Sequence, residues 1–132
     1  MSRRQDNSSA QRRRAWRAGI SGETLAVWLL RLKGYRILSR RFRCPQGEID
    51  IVARRGAVIS FVEVKVRSAG GVDLAESITP RQRHRIERAA SVFLQRHPAL
   101  AEYSLRFDAL LIRNGHWPQH IADAWRPAMC AS

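Results

Sequence analysis

Cysteine is scarce in this chain of 132 residues: Cys44 and Cys130 stand far apart, with no CxxC or Cys/His spacing. That excludes a disulfide framework and gives no support to a zinc site. Both cysteines read as inert small residues, and a reducing cytoplasm suits such a chain. Apolar runs are no longer than a strand, far short of the roughly 20 residues a membrane span requires, so no membrane partner is expected. The basic N-terminus leads into polar and then amphipathic sequence instead of the apolar core of an export signal. A Gly-rich phosphate loop, a GxSxG elbow and a Cys/His nucleophile pair are also missing, which disfavours P-loop nucleotide hydrolysis and serine-type chemistry.

Acidic residues are in short supply as well. Lys and Arg number 24 against 11 Asp and Glu, a formal charge of +13 with a sequence pI near 11.6. An anionic polymer is the expected partner, and a nucleic-acid backbone, DNA before RNA, is the first candidate. A solvated arginine surface and a membrane surface are the alternatives. Basic residues run along the whole chain and are not gathered on one amphipathic helix, which favours nucleic acid. Lys33 and Lys65 are the only lysines. A lysine kept amid arginines suggests a need for a compact ammonium.

Residues 1–15 combine Ser, Asn, Gln and Arg with little apolar content, and read as a disordered basic arm. A single domain is expected over 16–126, with a tail over 127–132. Helical spacing of Ile20, Leu25, Val27, Trp28, Leu29, Leu30 and Leu32 predicts a first helix over 18–33, closed by Gly34, with Trp28 in the core. A strand follows over 35–43 and turns at Cys44-Pro45-Gln46-Gly47; strands over 48–53 and 57–66 form a hairpin around Arg54-Arg55-Gly56. The second of these is apolar on both faces apart from Glu63 and Lys65, as a central, doubly covered strand would be. Thr79-Pro80-Arg81-Gln82 carries a capping box, and Ile86, Ala89, Ala90, Phe93 and Leu94 form the buried stripe of a second helix that ends at His97-Pro98. Strands over 105–112 and 121–125 complete an α/β fold around a mixed sheet.

Residues two apart on a strand share a face, so Glu63 and Lys65 project together, as do Glu48 and Asp50 on the neighbouring strand. Charges in otherwise apolar strands cost several kcal/mol each unless paired or bound to metal. Asp50 and Glu63 offer hard oxygen ligands for Mg²⁺ or Mn²⁺, with Lys65 beside a bound water. The competing explanation is a Lys65 ion pair with Glu63 or Asp50 and no metal.

Gly22-Glu23, Gly47-Glu48-Ile49-Asp50, Phe61-Val62-Glu63-Val64-Lys65-Val66-Arg67 and Arg106-Phe107-Asp108 resemble the YraN-like family of bacterial proteins over residues 18–126. That family is similar to archaeal Holliday-junction resolvases within the PD-(D/E)xK nuclease superfamily. The resemblance implies a restriction-endonuclease-like αβββαβ core and metal-dependent phosphodiester hydrolysis by an endonuclease or exonuclease. It places Asp50, Glu63, Lys65 and Glu23 in the catalytic set, with Asp50, Glu63 and Glu23 on the metal. Resolvases of similar fold are dimers, so it also admits a homodimer. Two positions depart from the superfamily pattern: Ile49 stands where its name has proline, and Ile86 where a QxxxY motif has tyrosine. The superfamily fold also hosts proteins that bind nucleic acid without cutting it, which keeps a non-catalytic binding module open.

Around this set, Glu23 has a second explanation as an acidic residue in the first helical turn. Glu48 is a candidate partner for Lys65 or an arginine, Asp108 a candidate partner for an arginine, and Glu76 a candidate at the site mouth. His84, His97, His116 and His120 read as surface residues, and Gln82 as a helix cap.

Overall fold

A computed structural model describes residues 21–67, 78–113 and 116–127. The N-terminal arm, Glu76 in the loop after the Glu63 strand, and the tail beyond Pro127 with Cys130 lie outside the described residues.

Ser21 is extended and its hydroxyl accepts the Thr24 N–H, so helix α1 begins at Gly22 and spans Gly22–Leu32. Gly34, at φ 92°, takes the left-handed conformation that follows a helix end at little cost. Helix α2, Pro80–Arg96, starts at the expected capping box: the Thr79 hydroxyl accepts the Gln82 N–H, and the Gln82 side chain accepts the Thr79 N–H. A short 3₁₀ turn, Pro98–Leu100, leads out of it.

Five strands form one sheet in the order β1 (Arg36–Cys44), β2 (Gly47–Arg55), β3 (Val58–Arg67), β4 (Ser104–Arg113) and β5 (Gln119–Trp125). The β3–β4 pairing is parallel and the other three are antiparallel. A parallel neighbour requires a crossover, and α2 supplies it. The sheet is mixed and its β3 strand central, consistent with a restriction-endonuclease-like core.

Each helix covers one face. Ala26, Val27 and Leu30 of α1 pack with Tyr35, Ile51, Ala53, Val62 and Leu110. Ile86, Ala89, Ala90 and Phe93 of α2 pack with Ile49, Val52, Ile59, Phe61 and Phe107 on the other side. Gly47 permits α2 to lie this close, since a Cβ there would collide with the Arg85 carbonyl. Trp28 departs from expectation: it is 57% exposed, in a surface stripe with Leu25 and Leu32, because Ala26, Val27 and Leu30, flanked by Leu29, fill the seam against the sheet. Among the described residues no helix is long and apolar enough to cross a membrane.

Candidate active site

Strict alternation along β2 fails at one place. Ile49 belongs to the α2-side core and Ile51 to the α1-side core, although residues two apart on a regular strand share a face. The phase changes at Asp50. On β1, Arg40 registers with Ile51 and Phe42 with Ile49, which leaves Arg41 across from Asp50. Arg41 sits at φ 54°, a left-handed conformation that an arginine adopts at a cost.

The β2–β3 ladder ends at the Ile51–Val62 pair. Beyond it the Asp50 carboxylate takes over, accepting the Val64 N–H at 2.8 Å. That contact brings Asp50 against Glu63, which is only 16% exposed at its side chain. Burial, a hydrogen bond with Asp50 and repulsion from the Asp50 charge push the Glu63 carboxyl up to about 9, against a smaller opposing pull from Lys65. Lys65 shares the face of Glu63, as the i, i+2 spacing predicts, with Nζ 3.9 Å from Glu63 Oε2. Two carboxylates and one ammonium therefore meet where the hairpin opens. The paired carboxylates hold a proton at neutral pH and are two hard oxygen donors toward a divalent cation.

Glu23, the third acidic residue of the expected set, pairs with two arginines of β1. Its Oε1 accepts from Arg40 Nε at 3.2 Å and its Oε2 from Arg41 Nε at 2.6 Å. It shares a cleft of about 310 Å³ with Arg41, Arg43, Glu48, Ile49 and Asp50, and Glu63 and Lys65 are not part of that lining. Among the described residues no three or more His, Cys, Asp or Glu side chains gather as a metal-binding group. Glu48 points to an exposed pairing with Arg43 at 3.5 Å, so its arginine partner is Arg43.

Sequence reasoning missed a second polar cluster. Asp108 does pair with an arginine: Arg106 Nε and Nη2 each donate to it at 2.8 Å. The unforeseen member is His120, whose side chain is 3% exposed, not a surface group. Its Nε2 lies 2.9 Å from Asp108 and its Nδ1 2.5 Å from Lys33 Nζ. The Asp123 N–H and the Tyr35 hydroxyl, which accepts from Arg106, complete the cluster. Burial alone would raise the Asp108 carboxyl; hydrogen bonds from His120, Arg106 and Asp123 outweigh it and hold it at about 2. The β4–β5 ladder sets His120 opposite Leu110, one residue before the strand expected from sequence at 121–125, so the letters gave no signal for its burial.

Comparison with known proteins gives a consistent family and no activity. Residues 22–112 match the model of the uncharacterised protein family UPF0102. A UPF0102 protein of Parvibaculum lavamentivorans is 55% identical over 113 residues, 86% of this chain and 84% of the relative. One from Bradyrhizobium diazoefficiens is 51% identical over 118 residues, covering 89% and 88%. Another, from a Chelativorans species, is 45% identical over 114 residues, covering 86% and 91%.

Proposed function

The chain belongs to the UPF0102 family, and from that premise we propose that it binds nucleic acid, DNA before RNA, and hydrolyses its phosphodiester bonds with a divalent cation held at Asp50 and Glu63. The observation that carries this reading is the carboxylate pair itself. Glu63 is buried against Asp50 and raised to about 9, an arrangement that neutral side chains would make more stable and that a cation would relieve. Such a cation, Mg²⁺ or Mn²⁺, would supply Lewis acidity toward the phosphate and toward an attacking water.

The chain's own residues divide the remaining work. Asp50 and Glu63 would hold the cation, their shared proton being released to solvent. Lys65, 3.9 Å from Glu63, places a compact positive charge beside the phosphate, where charge grows as the phosphorus–oxygen bond breaks. The surrounding excess of arginine, within a formal charge of +13, draws the polyanion to the surface. Branched DNA enters as a substrate by analogy with the resolvases of similar fold.

A second reading, a module that binds nucleic acid without cutting it, is favoured by one observation: both oxygens of Glu23 are occupied by arginines, so the carboxylate pair has no third acidic partner among the described residues. The deciding experiment uses labelled single-stranded, duplex, flapped and four-way DNA with Mg²⁺ or Mn²⁺. Cutting by wild type that is lost in both Asp50→Ala and Lys65→Ala supports the nuclease. Binding without cutting on every substrate supports the module.

A further inference from the structure

Building on that reading, we infer that Arg41 is a phosphate-binding residue of this site and that Glu23 is its positioning residue rather than a metal ligand. The inference stands on four observations. Arg41 is held at φ 54°, across the β1–β2 ladder from Asp50. A non-glycine residue kept in that conformation inside a strand must be over-determined by its surroundings, and such strain gathers at functional sites. Among the described residues its guanidinium is fixed through one nitrogen: Nε donates to Glu23 Oε2 at 2.6 Å. Among the described residues its two terminal nitrogens make no hydrogen bond, which leaves a fork suited to bidentate phosphate contact.

Glu23 is built as a fixed support. It sits in the first turn of α1, 13% exposed at its side chain, while Arg41 above it is 63% exposed. Arg40 holds the other oxygen and donates as well to Thr24, whose hydroxyl lies 3.2 Å from that of the cap residue Ser21. Two guanidiniums on one carboxylate leave a net positive charge. Arg41 and Glu23 line the same cleft as Asp50, so a backbone phosphate lying in it reaches Arg41 beside Asp50, one member of the carboxylate pair.

The sign of one substitution separates positioning from bulk electrostatics. Removing a negative charge from a surface that meets a polyanion should tighten binding, whereas freeing Arg41 from its support should loosen it. The measurement is the affinity of full-length protein for a labelled DNA duplex in EDTA over a salt series, so that neither metal nor cleavage enters. Arg41→Ala is expected to weaken binding about tenfold and to lower the slope of log affinity against log salt by about one. Glu23→Gln, isosteric and unable to disturb the fold by volume, is expected to weaken binding severalfold, and to do nothing further in the Arg41→Ala background. Arg41→Lys, which keeps charge but not the fork, should restore the salt slope and only part of the affinity. Wild type that binds while Glu23→Gln binds tighter overturns the clamp and leaves the nucleic-acid reading standing. Wild type that binds no DNA overturns both. Isothermal titration with Mn²⁺ gives the remaining check: Glu23→Gln in the Arg41→Ala background should bind the ion as Arg41→Ala does, and a loss there makes Glu23 a ligand and sinks its positioning role.

Discussion

The Asp50 carboxylate accepts the Val64 N–H at 2.8 Å, immediately past the Ile51–Val62 pair where the backbone ladder between β2 and β3 stops. One side chain thus replaces the next rung of the ladder and aims itself at Glu63. The substitution Asp50→Ala removes that acceptor and leaves a partly buried N–H unpaired, at about 1–3 kcal/mol. Asp50→Asn keeps an oxygen at the same place and should retain most of that stability while losing cation binding. Urea unfolding of the two variants beside wild type measures the difference; equal losses in both would mean that the charge of Asp50, not its bond to Val64, matters to the fold.

Glu63 predicts a pH dependence with a definite sign. Its carboxyl is raised from 4.5 to about 9 in the folded protein, by burial first and then by Asp50. Between those values the folded chain keeps a proton that the unfolded chain has released, so this group's contribution to stability is fully present below pH 4.5 and falls as pH rises through 9. Glu63→Gln holds the neutral form permanently and should flatten that fall; denaturant midpoints at pH 6, 7.5 and 9, wild type against variant, read it out. The same proton must leave before a cation binds, so Mn²⁺ affinity should climb with pH over this window and release a proton measurable in buffers of different ionisation enthalpy.

Asp108 should behave in the opposite sense. Its carboxyl is depressed from 3.8 to about 2, so its contribution is present at neutral pH and disappears only as pH drops from about 4 towards 2. Asp108→Asn leaves Arg106 and His120 facing a neutral group in a fully buried position, and breaking a buried pair in this way removes about 3–5 kcal/mol. A thermal melt at pH 7 that shifts by only a degree or two would show that the cluster is dispensable.

Much of this arrangement is legible before any coordinates. The capping box at Thr79 and Gln82 and the shared face of Glu63 and Lys65 follow from short-range rules and stand as those rules place them, while the turn expected at Arg54-Arg55-Gly56 is tighter, since Arg54 and Arg55 still pair with Ile59 and Val58 and only Gly56 and Ala57 turn the chain. What local rules miss is long-range. Trp28 fits the helical period of α1, yet Ala26, Val27 and Leu30 already fill the seam, and Trp28 is left on the exposed side. His120 looks like a loop histidine in sequence, and is buried because β5 docks on β4 and brings it to Asp108 and Lys33. The phase change at Asp50 is equally invisible, since Glu48-Ile49-Asp50-Ile51 alternates without a break in letters. Only the packing of Ile49 and Ile51 on opposite faces reveals it.

That phase change is tied to Arg41, and the two variants Arg41→Ala and Arg41→Gly separate its backbone from its side chain. Both remove the guanidinium and with it the contact to Glu23, so both lose the same ion pair. They differ in the left-handed conformation at φ 54°, which glycine adopts freely and alanine does not. Arg41→Gly is therefore expected to melt about 5 °C above Arg41→Ala, while the two share the same weakened DNA binding. If strain at this position serves the site, the residue the backbone would prefer and the residue the site needs are different, and relieving the strain with glycine recovers stability without recovering binding. Equal melting temperatures would place the strain elsewhere in the strand and remove the backbone argument for Arg41, leaving its geometry at the cleft to stand alone.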